Sequence, residues 1–275
     1  MAAPIQRRAL WAEGLLLLAI ATFCIFPFYW MVTTSLKTQV VALESPPVWA
    51  FTPTLANYWE VLFEDKVGIA LINSIIVAVC TTGLAVILGT PAAYALARFE
   101  FRGKQDLWFW FITNRFVSPV VLAFPVFLIS REIGLRDTHL ALILMYLTFT
   151  LPIVIWICTD QFRSIPRELD EAALLEGASQ WRIFRSICLP LAMPGVAVSS
   201  ILSFIFAWNE LLFAYILAPK AAKTAPAMAI TFMEGYDVPY GKIMATSTLI
   251  VIPVLIFALI ASKHLVRGLT MGAVK

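Results

Sequence analysis

Six stretches of roughly twenty apolar residues divide this chain, covering approximately 10–32, 69–97, 107–129, 139–158, 195–218 and 243–262. Few environments accept such segments. A bilayer core is crossed by roughly 20 helical residues, and in lipid the backbone must satisfy its own hydrogen bonds, which favours helices. The expected fold is all-α: a polytopic membrane protein of six transmembrane helices. Composition agrees, because 61% of the 275 residues are hydrophobic and only 13% charged, against about 25% charged in soluble domains. A net charge of +3 is too small to suggest a nucleic-acid partner. One transmembrane domain spanning residues 1–275 is expected.

The first apolar run follows Arg7 and Arg8, as in a signal peptide, but continues through Phe28 and Trp30. It is too long for an h-region and lacks a small-residue cleavage site at its end. It reads as an uncleaved span. With the N-terminus in the cytoplasm, the inside segments hold twelve Lys and Arg and the outside loops seven. That excess orients a multi-pass protein with both termini cytoplasmic. Prolines at 27, 91, 119, 125, 152 and 253 fall within spans and predict kinks. Cys24, Cys80, Cys158 and Cys188 show no metal-ligand spacing, His139 and His264 are isolated, and no metal site is expected.

Between the fourth and fifth spans, residues 159–194 leave the apolar pattern. Glu168, Asp170 and Glu171 crowd a helix N-terminal half, where the dipole favours acids. Ala172, Ala173, Leu174 and Leu175 continue the helix, and Gly177 suits a left-handed cap. Ser179 can start a second helix carrying Trp181, Phe184 and Ile187 at helical spacing. Two short helices form a knob, with Glu171 offering a carboxylate to a partner's Arg and Ala172 and Ala173 allowing close approach. The bland alternative is a loop lying on the membrane surface, which so acidic a helix suits badly.

The spacing reads E-A-A-x3-G-x9-I-x-L-P from Glu171 to Pro190. It resembles the EAA motif of ABC-importer permeases, the loop that fits into the ATPase. Asn73-Ser74, Arg98-Phe99, Trp208-Asn209-Glu210 and the terminal Arg267 to Lys275 resemble the carbohydrate-uptake branch. The likeness is to the second permease of maltose and glycerol-phosphate type importers, and within these to the trehalose-importing kind of mycobacteria. Glu176 stands where the family often has Asp, keeping the carboxylate. The resemblance implies a non-catalytic subunit in the bacterial inner membrane, carrying a di- or oligosaccharide, trehalose first. It implies a second homologous permease, two ATPase subunits that hold ATP and Mg, and an extracellular sugar-binding lipoprotein. It assigns coupling to Glu171, Ala172, Ala173, Gly177 and Pro190. This chain has no G-x4-G-K-[ST] phosphate loop and needs no cofactor of its own.

Polar residues inside spans are expensive and mark solute paths. Asn114 and Arg115 in the third span, and Trp208, Asn209 and Glu210 in the fifth, supply the donors, acceptors and flat faces that a sugar needs. The alternative is structural: Arg115 and Glu210 pair, or cap a kinked backbone. The outer loop at 219–242 centres on Met233, Glu234, Gly235 and Tyr236, which the resemblance offers to the binding protein; otherwise it is an ordinary exposed loop. The tail after Ser262 either reaches the ATPase interface or is a basic stop-transfer flank. Competing functions are import of another small polar solute such as glycerol phosphate, and a secondary carrier. No internal repeat supports the carrier, and no paired acid–base set supports a membrane enzyme.

Overall fold

The computed structural model describes residues 4–114, 117–235 and 237–272, and side chains over 13–259 of these. The described residues form helices and no strands. Five helices are long and apolar enough to cross a membrane: Glu13–Ser35, Val67–Arg98, His139–Arg163, Gln180–Trp208 and Tyr240–Leu259. The expected third span is built from two shorter helices. By packing, the chain forms two compact units, Met1–Gly68 with Ala229–Val251, and Ile69–Met228 with Ile252–Lys275.

In the first unit, α1 (Pro4–Ser35) carries Leu15, Leu16, Phe23 and Ile25 with more than half of each exposed. A helix apolar on its outer surface belongs in lipid. Short helices α2 (Gln39–Leu43) and α3 (Ala56–Trp59) follow, the latter continuing as a π turn over Glu60–Glu64. Lys37 is 4% exposed. Its Nζ donates to the Val48 carbonyl at 2.8 Å and stands 5.1 and 5.0 Å from the ring centroids of Trp30 and Phe51. The Asn57 amide donates to the carbonyls of Ser35 and Lys37, both at 2.8 Å. Lys242, near the start of the last helix, pairs with Glu60 and Asp65, each at 3.0 Å.

The second unit contains α4 (Val67–Arg98, mostly), α5 (Lys104–Thr113), α6 (Pro119–Glu132) and α7 (His139–Arg163). Then come α8 (Glu168–Leu175), α9 (Gln180–Ile183), a π turn over Phe184–Cys188, α10 (Leu189–Trp208) and α11 (Leu212–Leu217). Helix α12 (Ala225–Thr231) and the long α13 (Tyr240–Gly272) complete the chain. Helix α7 is the axis of this unit, burying Leu142, Tyr146, Ile153, Val154 and Phe162. Gly195 on α10 faces it so closely that an added Cβ would stand 2.8 Å from the Gln161 side chain. Small residues permit such backbone approach between membrane helices.

Two spans expected to be continuous are broken. Pro119 at the start of α6 lacks an N–H, and Ser118 before it is extended at φ −62°, ψ 126°, the conformation that a following proline favours. Helix α10 ends at Trp208, and α11 starts only at Leu212.

Candidate functional site

The two breaks meet at one cavity of about 310 Å³, whose walls include Asn114, Thr148, Phe149, Asn209, Glu210 and Phe213. Three of the residues chosen from sequence as a solute path therefore share a surface. Each also has a backbone task. Pro152 has no N–H, so the Thr148 carbonyl four residues earlier loses its helical donor. The Asn114 amide donates to that carbonyl at 3.0 Å. The Asn209 amide donates to the Ile205 carbonyl at 2.8 Å. The Glu210 carboxylate accepts from the N–H groups of Phe213 at 3.1 Å and Ala214 at 3.2 Å, capping α11. The structural alternative thus describes Glu210 well: it caps a broken backbone. Among the described residues, no hydrogen bond engages the amide oxygens of Asn114 and Asn209, both of which line the cavity. Trp208 is a correction. It is 1% exposed, stacked on Phe204 at 5.8 Å between centroids, and forms core rather than cavity wall. Arg115 lies outside the described residues.

The island at 159–194 folds as two short helices. Helix α8 closes in a Schellman arrangement: Ala178 N–H donates to the Ala173 carbonyl at 2.9 Å and Gly177 N–H to Leu174 at 3.0 Å, with Gly177 at φ +82°. The Ser179 hydroxyl accepts from Arg182 N–H at 3.3 Å, starting α9. Glu171, Ala172, Gly177 and Pro190 are exposed. Ala173 is 8% exposed and packs inward among Tyr94, Phe162, Ile183, Phe184 and Cys188, so it offers no face to a partner, contrary to the expectation. The open face instead carries large apolar side chains, with Leu175 91% and Trp181 61% exposed.

What holds this knob was missed in the sequence. Asp170 turns inward and pairs with Arg98 at the end of α4 at 2.8 Å, their side chains 16% and 5% exposed. Arg98 also donates through Nη2 to the Ile165 carbonyl at 3.1 Å, and the Cys188 thiol donates to Asp170 at 3.1 Å. Cys188, which lacks metal-ligand spacing in the sequence, is a hydrogen-bond donor here. The signal was available: Asp170 lies three residues before inward-facing Ala173, on the same helical face.

At the opposite end of this unit, the segment after α11 is clamped. The Asp137 carboxylate accepts from the N–H groups of Lys220, Ala221 and Ala222 at 3.0, 2.9 and 3.4 Å. Burial works against its charge, but these backbone donors prevail and hold its carboxyl below the ordinary value. The Asn73 amide donates to the carbonyls of Ala221 and Lys223, both at 3.0 Å, and its oxygen accepts from His139 Nε2 at 2.8 Å. The Ser74 hydroxyl accepts from Ala225 N–H at 2.8 Å. Farther along, in the other unit, Met233 is 62% exposed and Glu234 and Gly235 are exposed. Tyr236 lies outside the described residues.

Broken spans around a small, mainly apolar cavity with a few polar groups in its wall, joined through α10 to an anchored knob between the fourth and fifth spans, fit a membrane permease. The model of the binding-protein-dependent transport system inner membrane component matches residues 85–271, and the chain belongs to that family. It is 41% identical to the trehalose transport system permease protein SugB of Mycobacterium tuberculosis, covering 93% of this chain and 94% of that one. It is 35% identical to the trehalose/maltose transport system permease protein MalG of Thermococcus litoralis over 100% and 99% of the two chains. Among solved structures, a bacterial ABC transporter importing the acidic polysaccharide alginate shares the fold, with TM-score 0.76 and 22% identity over 96% of this chain and 98% of that one.

Proposed function

We propose that this chain is one of two related permeases in an ATP-driven importer that carries a di- or oligosaccharide, trehalose first, into the bacterial cytoplasm. Two ATPase subunits holding ATP and Mg drive it, and an extracellular sugar-binding protein supplies it. Both termini and the 159–194 loop lie on the cytoplasmic side, where ATP is available. The observation that carries the driven-permease reading is the knob itself. It is held by the mostly buried Arg98–Asp170 pair while Glu171, Leu175 and Trp181 stay open, and a rigid mount with an exposed apolar and acidic face suits a partner that pushes on it. Pro190 leads that mount directly into α10, which ends at the cavity.

The names of the relatives support a sugar, and so does the cavity. Amide oxygens of Asn114 and Asn209 and the ring of Phe149 suit hydroxyl groups and a sugar's apolar face. At about 310 Å³ the cavity is at the small end of ligand pockets, as expected where two permeases share the solute. Met233 to Gly235 offer a contact to the binding protein. The test is uptake of labelled trehalose into proteoliposomes carrying the complete complex, with unlabelled maltose, diacetylchitobiose and glycerol phosphate as competitors. Strongest competition by trehalose is expected. Competition by glycerol phosphate alone would overturn the sugar assignment.

A further inference from the structure

Residues 218–224, between α11 and α12, form a strap with no helix of its own. A buried backbone must place its N–H and C=O groups on partners, and the strap finds them on side chains of α4 and of the turn before α7. The Asn73 amide nitrogen donates to the carbonyls of Ala221 and Lys223, both at 3.0 Å, while its oxygen accepts from His139 Nε2 at 2.8 Å. Two carbonyls facing one amide nitrogen fix which way round the amide lies. The Ser74 hydroxyl, on the next residue of α4, accepts the Ala225 N–H at 2.8 Å. Both residues are buried, at 6% and 2% exposed. Asp137 fastens the near end: besides holding three N–H groups of the strap, its own N–H donates at 2.8 Å to the carbonyl of Leu217, the last residue of α11.

The strap continues α11, which is only six residues long, well below the roughly 12 residues that an isolated helix needs. Glu210 caps its start, and the strap fixes its end. Phe213 on α11 and Leu211 before it form one side of the cavity, and Phe206 and Asn209 at the end of α10 form another. The cavity thus lies in a break whose two lips have different supports. The α10 lip leads back to the knob, whereas the α11 lip is tied through the strap to α4. Farther along α4, Gly89 approaches α7 so closely that an added Cβ would stand 2.9 Å from the Val154 side chain, which sets α4 and α7 together as one frame. Among the described residues lining the cavity, neither Asn73 nor Ser74 occurs. We propose that Asn73 and Ser74 are positioning residues for uptake: they hold the α11 lip to the α4–α7 frame, so that a push on the knob moves the α10 lip against it and changes the cavity. This rests on the driven-permease reading above. With the strap loose, α11 follows α10, and ATP is spent without a matching change at the cavity.

The test is the number of ATP hydrolysed per trehalose taken up by the complete complex in proteoliposomes. A variant that only folds less well lowers both rates together and leaves that ratio unmoved. Asn73→Asp keeps the size of the side chain and the bond to His139, but turns an acceptor towards two carbonyls. Ser74→Ala removes only the bond to Ala225, and it alone decides where Asn73→Asp does not assemble. The ratio is expected to rise about fivefold in Asn73→Asp and about twofold in Ser74→Ala. The wild-type ratio in both variants, whether or not residues 218–225 lose protection from hydrogen exchange, would overturn this inference alone. Uptake by the wild type that needs no ATP would overturn the driven-permease reading and this inference with it.

Discussion

Asn114 shows how one residue serves both the fold and the cavity. Its amide replaces the donor that Pro152 removes from the Thr148 carbonyl. Replacing it with Ala removes that bond at an open cavity, at a cost of about 0.5–1.5 kcal/mol. Asn114→Ala is therefore expected to lower the thermal midpoint of the purified chain, and Asn114→Ala combined with Pro152→Ala to recover it. No recovery in the double variant would detach Asn114 from the kink. Asp137 gives a pH prediction with a definite sign. Its carboxyl is depressed in the folded chain, so its contribution is present above the ordinary carboxylate value of about 3.9 and lost as pH falls through the folded value. Protection of residues 218–225 from hydrogen exchange, relative to unstructured peptide at the same pH, should fall below about pH 4, and Asp137→Asn should lower it at neutral pH also. Exchange in that variant matching the wild type at neutral pH would contradict the clamp.

Among elements, the pair of short helices between α7 and α10 was the most legible in sequence. Gly177 and Ser179 fix their ends by local chemistry that spacing alone reveals. The broken spans were less so, because the third and fifth runs stay apolar overall despite Asn114, Arg115, Asn209 and Glu210, and hydropathy is blind to where a ladder is interrupted. Pro119 marked the first break. The second depends on Glu210 turning back to cap α11, a choice that residue identity leaves open. Trp208 misled because an aromatic beside two polar residues reads as a site, whereas its α10 register points it into the core. Asp170 stood among three acids, and only the inward register of Ala173 separates it from Glu171. The Arg98–Asp170 pair leads to a prediction for the knob. Removing one partner of a mostly buried ion pair costs about 3–5 kcal/mol, so Asp170→Asn should loosen α8 and raise proteolysis at Gly177 while the spans still insert. Protection equal to the wild type would show that the knob is anchored elsewhere.

For the molecule as a whole, the all-α fold of six spans follows from run length, because the bilayer restricts the fold so strongly, while the proposed orientation and drive rest on basic-residue bias and one motif. The solute is less legible, since the proposed selectivity rests on cavity geometry rather than on residue type. The packing of α10 on α7 joins the two levels. Gly195→Val would push Gln161 away from a 2.8 Å approach, and it is expected to reduce uptake while leaving ATPase binding intact, because α10 connects knob to cavity. Unchanged uptake would separate the two.

The central claim is that a partner drives this permease through Glu171 and its exposed neighbours. The most direct measurement is ATP-dependent trehalose uptake by the reconstituted complex, read together with co-purification of the ATPase, for wild type and Glu171→Lys. The account predicts uptake that requires both ATP and the binding protein in the wild type, and loss of both uptake and ATPase retention in Glu171→Lys at normal membrane insertion. Normal uptake and normal ATPase retention in that variant would contradict it.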